Sequence, residues 1–463
     1  MSSREAPVAE RVALPVRYPD VESRQVMDRR AWWLLVLGFL IPGSAQVLAG
    51  NRRLGRFGLA MTIIGWVIAL VLLVFLLANR TAFVAFATMP AVLVVFQILV
   101  VVYPVLWIVL ALDTLRLTRL VRLGGAARAG VGVVTAALLV LFGGAGAYAF
   151  VAAGSTNATL DAVFVGTEVA PPVDGYYNIL LIGADSGDDR DGLRPDSTSV
   201  LSVEVATGHA IMYGLPRDLH NVPFSADSPM QPIYPDGYGR DGCAVDVCQL
   251  NSIYTEVELF RPELYPDAVA QGSSPGIQAM VDAASGALGI PIQYYVLIDM
   301  QGFAQLVDAL GGITVNVQES LPVGGEWEDG ENIVPADYWL EPGVQVLDGY
   351  NALWYARSRY TTSDYDRMNR QREVQEAILR QFDPGTVLSK FAAIMEAGAQ
   401  AVRTDIPRGM FSTLVDLATK ARDQDVDKIE LTPPTIDPED PDFAYIHTLV
   451  AGSRVQPTPT PTG

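Results

Sequence analysis

The sequence predicts an α/β protein: N-terminal transmembrane helices followed by an extracellular α/β/α sandwich with a mixed central sheet. Three observations carry this expectation. Residues 31–153 are apolar and nearly free of acid, whereas the remainder holds most of the 51 carboxylates. Beyond residue 175, short apolar runs of strand length alternate with stretches of helical period. Three strands separated by turns come first, and a strand–helix–strand rhythm follows.

Residues 1–30 are polar, mixed in charge and Pro-containing, which predicts a disordered cytoplasmic tail. Four apolar stretches follow, at about 32–49, 57–78, 82–112 and 129–153. Each is near or above the ~20 residues that a spanning helix needs. The first is interrupted by Gly38, Pro42, Gly43 and Ser44. Arg116, Arg119, Arg122 and Arg128 mark residues 113–128 as a cytoplasmic loop, and the basic run 51–56 and Arg29-Arg30 point the same way. The preferred solution is a re-entrant or interfacial first segment broken at Pro42-Gly43, then three spans. The alternative is four spans with the N-terminus outside. In both, the chain after Ala153 emerges outside the cell, through a small, polar, Pro-containing linker at 154–175.

The exterior part opens with strands at 176–183, 196–205 and 210–215, the last stopped by Pro216. If these run antiparallel, Asp185, Arg194, Asp196, Arg217 and Asp218 lie on one rim of the sheet. Residues 221–272 form a long excursion with both cysteines, Cys243 and Cys248. Two thiols without a second pair allow a disulfide or free thiols, and an exterior location favours the disulfide. Next come a helix at 275–288, a strand at 293–298, a helix at 301–310 and a strand at 313–317. Residues 320–345 read as a surface loop or small hairpin. Leu347–Ala356 reads as a short apolar helix. A helix from Asp366 to Phe382 is opened by an acidic residue in capping position. Helices at 388–400 and 409–422 complete a domain spanning 176–435, and 436–463 is an extension ending in a Pro/Thr-rich tail.

A net charge of −19 argues against nucleic-acid partners, and three scattered histidines are too few for a His-rich metal site. No Ser-His-Asp or Cys-His arrangement is indicated. The cations are instead concentrated locally, in RSRYTTSDYDRMNRQR at 357–372. In a helix, Arg367, Arg370 and Gln371 would share one face near the N-terminus, where free N–H groups and the positive dipole end gather. Guanidinium forks there suit a phosphate or diphosphate. The alternative is a solvated, charged helix start with Asp366 as a plain cap.

Five segments, in order, carry a family resemblance: NILLIGADS (178–186), RPDSTSVLSV (194–203), GLPRD (214–218), PIQYYVLIDMQGFAQLVDALGGITVNV (291–317) and LDGYNALWYARSRYTTSDYDRMNRQRE (347–373). Together they resemble the LytR-CpsA-Psr (LCP) family over roughly 176–435. The resemblance implies a membrane-anchored transferase at the outer face of the membrane. Such an enzyme moves a glycopolymer phosphate from a polyprenyl-pyrophosphate carrier to a peptidoglycan hydroxyl, with Mg²⁺ (or Mn²⁺). It implies lipid-linked glycan, peptidoglycan and the bilayer as partners.

Carried over by position, the resemblance assigns Asp185 and Asp196 to the metal. Arg194, Arg217, Arg357, Arg359, Arg367, Arg370 and Gln371 fall to the pyrophosphate. Asp364 becomes the general base, catalytic together with Arg217 and Arg367. Two positions depart from the family pattern: Gly187 stands where an arginine is frequent, and Asp366 where glycine is common. The competing expectations are a pyrophosphatase using the same site and a wall-polymer binding module without turnover.

Overall fold

The computed structural model describes residues 16–166, 169–185, 194–240, 242–328, 331–358, 363–381 and 402–454. The expected helix at 388–400, the first half of the expected N-terminal tail and the Pro/Thr-rich end lie outside them. The chain forms two compact units, Met1–Ser155 and Thr156–Gly463.

The first unit contains α1 (Arg24–Leu40), α2 (Ser44–Ala49), α3 (Arg52–Ala78), α4 (Arg80–Ala87), α5 (Pro90–Thr118) and the start of α6 (Gly125–Val163). Three helical stretches are long and apolar enough to cross a membrane: Arg52–Ala78, Pro90–Arg122 and Gly125–Ala158. The first apolar stretch is broken at Pro42-Gly43, as its sequence implies. Gly43 sits at φ +95°, and a Cβ there would come within 2.4 Å of the Leu59 backbone nitrogen. Neither α1 nor α2 reaches the ~20 residues of a span. The break is sealed by polar contacts: Thr62 Oγ1 donates to Pro42 O, and Gln46 Nε2 to Leu110 O and Thr114 Oγ1.

Three sequence boundaries need correction. The expected tail is helical from Arg24, and Arg30 is buried, donating to Val16 O and Leu117 O. The stretch 82–112 is two helices, because Pro90 forces Met89 into an extended conformation and starts α5 afresh. The helix α6 continues through Val163, so the first ten residues of the expected linker are helical.

The second unit is built on β1 (Tyr176–Asp185), β2 (Arg194–Glu204), β3 (Ala210–Leu215), β4 (Tyr294–Asp299), β11 (Val402–Thr404) and β12 (Val426–Glu430). Their order is β11-β4-β1-β2-β3-β12. The pairs β1/β2, β2/β3 and β4/β11 are antiparallel, and β1/β4 and β3/β12 are parallel, so the sheet is mixed as expected.

Alternation along the strands feeds two cores. Leu180, Ile182, Val200, Ile211 and Tyr213 face one, beneath α8 (Pro275–Leu288). Tyr177, Ile179, Val203 and Met212 face the other, with α12 (Phe411–Ala421). A third cluster joins β5 (Ile313–Val317) and β10 (Gly343–Leu347) to α9 (Met300–Leu310), α10 (Gly349–Arg357) and α11 (Asp364–Arg380). Between β5 and β10, residues 320–345 form two small hairpins: β6 (Leu321–Val323) with β9 (Tyr338–Leu340), and β7 (Glu326–Glu328) with β8 (Glu331–Val334).

The excursion 221–272 contains α7 (Ile253–Phe260) and the Cys243–Cys248 disulfide. It is organised on a buried carboxylate. Glu256 accepts from the Tyr234 and Tyr238 hydroxyls, Ala244 N and Arg261 Nε. Burial and this carboxylate push the Tyr234 hydroxyl up to about 12. The excursion returns beside the sheet, where Asn251 N donates to Arg217 O and Leu250 N to Leu219 O.

The C-terminal segment is part of the fold rather than an appendage. In α13 (Phe443–Ser453), Ile446 and Val450 are buried against the core. Arg454 Nη2 donates to Asn178 Oδ1 and Ser202 Oγ, at 2.6 and 2.9 Å.

Candidate active site

The strand register creates the rim that antiparallel pairing anticipates. Asp185, ending β1, lies opposite Arg194, which begins β2. Thr198 pairs with Leu215, so Asp196 and Arg217 extend past the same edge. Ala184 pairs with Asp299 on parallel β4, adding a third carboxylate to that edge. The Asp185 and Arg194 side chains, and all of Arg359, lie outside the described residues.

The helix α11 brings its N-terminus to this rim. Its N-cap is Ser363, not Asp366. Ser363 Oγ accepts from Asp366 N, and Asp366 in turn accepts from Ser363 N at 2.9 Å, forming a reciprocal capping box. These bonds, chiefly the one from the Ser363 hydroxyl, hold the Asp366 carboxyl below its usual range. The expected cap, Asp366, is instead the N3 residue of this box, three residues inside the helix.

Four predicted residues meet in one chain of charge. Arg367 Nη2 donates to Asp364 Oδ2 at 2.9 Å, Arg217 Nε reaches the same oxygen at 3.3 Å, and Arg217 Nη1 donates to Asp196 Oδ1 at 3.3 Å. The Arg367 side chain is only 5% exposed, and its Nε has no hydrogen-bond partner among the described residues. Gln371 Nε2 donates weakly to Ala356 O, while its buried Oε1 has no partner among them. Orphaned buried polar atoms are costly unless a ligand completes them.

These groups open onto a cavity of about 660 Å³. Asp196, Arg217, Arg357 and Arg367 line its polar side, while Ile298, Phe303, Val374 and Ile378 supply apolar wall. Arg357 also lies over the Trp354 ring, 5.9 Å from its centroid.

Arg370 does not join this group, contrary to the shared-face expectation. Its Nε donates to Tyr355 O at 3.0 Å and its Nη2 to Ser358 O, and Nη1 lies 3.8 Å from Glu319. At 3.6 residues per turn, Arg367 and Gln371 stay on the cavity face while Arg370 rotates toward the end of α10. There it satisfies carbonyls that the helix terminus leaves open.

Among the described residues, no group of three or more His, Cys, Asp or Glu side chains could hold a metal ion. Asp299 is partly committed, because its Oδ1 caps α9 through Gly302 N. On the described rim, Asp196 stands beside the edge position of Asp185 and accepts from Arg217.

Beneath the site lies an arginine that sequence reasoning counted but did not place. Arg372 is 1% exposed and donates to Thr198 O and Gln375 Oε1, with Glu430 3.5 Å from its Nε. Burial raises the Glu430 carboxyl above its usual range. A helical residue flanked by Gln371 and Glu373 gives no sequence signal of burial.

Comparison with known proteins agrees with the motifs. The sequence pattern of the LytR_cpsA_psr family matches residues 151–447. The chain is 31% identical over 233 residues to the polyisoprenyl-teichoic acid–peptidoglycan teichoic acid transferase TagU of Halalkalibacterium halodurans, covering 50% of this chain and 61% of that protein. It is 27% identical over 263 residues to the cell wall biosynthesis protein LcpA of Corynebacterium glutamicum, covering 50% of this chain and 45% of that one. The chain thus spans about three fifths or less of the length of these curated relatives. Among solved structures, Bacillus subtilis TagV matches with a TM-score of 0.42 at 20% identity, over 60% of this chain and 96% of that one. With the family pattern covering well over half its length, the chain belongs to the LytR-CpsA-Psr family.

Proposed function

We propose that this protein is a membrane-anchored phosphotransferase. It moves a glycopolymer phosphate from a polyprenyl-pyrophosphate carrier to a hydroxyl of peptidoglycan, on the extracellular face of the membrane. The observation that carries this reading is the two-sided cavity. Arg217 and Arg367 sit at its charged side with Asp196, and aliphatic and aromatic side chains line the rest. A diphosphate joined to a prenyl chain has the same division into a dianionic head and an apolar tail. The name borne by the TagU relative describes the same exchange. The apolar helices of the first unit and the basic loops between them support anchoring and an outward catalytic domain.

Phosphoryl transfer rests on positioning and charge neutralisation. The acceptor hydroxyl oxygen forms a bond to the glycan-bearing phosphorus. The bond from that phosphorus to the bridging oxygen breaks, and polyprenyl phosphate leaves with the electron pair. Arg217 and Arg367 neutralise the charge that accumulates on the departing phosphate. Asp364, hydrogen-bonded to Arg367 and ion-paired with Arg217, takes the hydroxyl proton. Asp196 and Asp185 would hold Mg²⁺ or Mn²⁺, which supplies further neutralisation of the diphosphate when bound.

The test uses the full-length protein in detergent or vesicles with a radiolabelled polyprenyl-pyrophosphate glycan and Mg²⁺, with and without peptidoglycan. Label is expected to become wall-linked only when peptidoglycan is present, and Arg367→Ala is expected to cut this at least tenfold. Release of free phosphorylated glycan regardless of acceptor would establish hydrolysis instead. Tight binding with no turnover would establish a binding module.

A further inference from the structure

We infer that Gln375 is a substrate-contacting residue, whose side-chain N–H groups recognise an oxygen of the lipid-side phosphate. The inference rests on the proposed diphosphate substrate and adds to it a specific donor and a specific ligand atom.

The argument begins with a carboxamide whose orientation is fixed. Gln375 Oε1 accepts from Arg372 Nη1 at 3.0 Å and from Ser199 Oγ at 3.3 Å. A guanidinium can only donate, so the oxygen must face Arg372 and the nitrogen must face away. Gln375 lines the cavity and is only partly buried. With its oxygen engaged, Nε2 is the polar atom that Gln375 has left to offer there.

The orientation is held from below. Arg372 is itself immobilised by Thr198 O on β2 and by Glu430 on β12. Glu430 reaches it across β3 at Gly214, where a Cβ would stand 1.9 Å from Glu430 Oε2. A glycine, a buried ion pair and a serine together set one amide, which is more apparatus than packing alone needs.

Position along α11 selects the ligand atom. Arg367, Gln371 and Gln375 follow one another at four-residue spacing, each step ~6 Å along α11. Arg367 stands at the helix N-terminus beside Asp364. Gln375 stands two turns further along α11, beside Val374 and Ile378 of the apolar wall. A donor at the boundary between charged and apolar lining suits the phosphate esterified to the prenyl chain. Gln371 offers the opposite polarity, since its Nε2 turns to Ala356 O and its acceptor remains. Gln375 is therefore the amide that turns a donor toward a phosphate oxygen, which can only accept.

Gln375→Glu tests this directly. It keeps an acceptor for Arg372 and Ser199, so the support beneath is preserved, but it turns an acceptor toward the ligand. Gln375→Met removes the donor without adding charge. Affinities of the full-length protein for farnesyl diphosphate, farnesyl monophosphate and farnesol would be measured by calorimetry, with thermal unfolding alongside. Expected is a tenfold or greater loss for both farnesyl phosphates in Gln375→Glu, a smaller loss in Gln375→Met, and farnesol affinity within threefold of wild type. Equal losses for farnesol and the farnesyl phosphates, or no loss in either variant, would overturn the assignment. Failure of the wild type to bind farnesyl diphosphate would instead overturn the proposed substrate itself.

Discussion

Arg217 and Arg367 converge on a single oxygen, Oδ2 of Asp364, from β3's end and from the first turn of α11. In the proposed reaction, a diphosphate that draws both arginines onto its own oxygens would release that carboxylate to accept the hydroxyl proton, so that donor binding and proton transfer would meet at one atom.

Asp364→Asn separates the two roles. The amide preserves size and leaves the arginines with less negative charge to share. Turnover is expected to fall about 100-fold, within the range of a lost general base, while KM for the lipid donor stays level or drops. Steady-state kinetics with varied donor give the answer. A parallel rise in KM would mean that Asp364 serves only to aim the arginines.

Arg370→Ala is expected to act on stability before catalysis. It strips the partners from the Tyr355 and Ser358 carbonyls at the end of α10. A buried acceptor left unpaired costs roughly 1–3 kcal/mol, so the unfolding midpoint should fall clearly. Diphosphate affinity of the folded fraction should change less than in Arg367→Ala. Thermal unfolding and equilibrium binding on both variants provide the comparison.

Asp405 gives a pH-dependent contribution of defined sign. Its carboxylate accepts from Tyr295 N at 2.8 Å, yet burial raises it to about 6. A raised folded-state value means that the neutral form is favoured on folding. The contribution is fully present below the unfolded carboxylate's range and disappears as pH rises toward 6. Asp405→Asn keeps the accepting oxygen without the charge. It is expected to stabilise the domain by up to about 3 kcal/mol at pH 7 and to be neutral near pH 3.5. Unfolding free energies at the two pH values would measure this, and an equal effect at both would refute it.

Much of the candidate site is legible in the sequence because its parts obey local rules. Turn lengths and strand runs put Asp196 and Arg217 on one edge, and helical spacing put Arg367 and Gln371 on one face. The same spacing argument misplaced Arg370, since a face near a helix terminus is divided by whatever carbonyls the neighbouring helix presents. Asp366 looked like a cap because acids are common in first turns; Ser363 wins because its hydroxyl reaches the right N–H. Arg372 and Gln375 were invisible for a different reason. Their roles depend on Glu430 and Ser199, remote in sequence, and on Gly214 leaving space between them. The C-terminal helix gives little sequence signal because it is short, 11 residues, and a Pro/Thr run follows it closely.

The clasp between Arg454 and the pair Asn178 and Ser202 joins residues 276 and 252 positions apart. The first two strands of the sheet thus receive hydrogen bonds from a residue that follows all of its other strands in the chain. The polar cluster between them is complete only once residue 454 is in place. A chain cut ahead of residue 454 would leave Ser202 donating to Asn178 and Asn178 donating to Pro291 O, without the guanidinium that joins them.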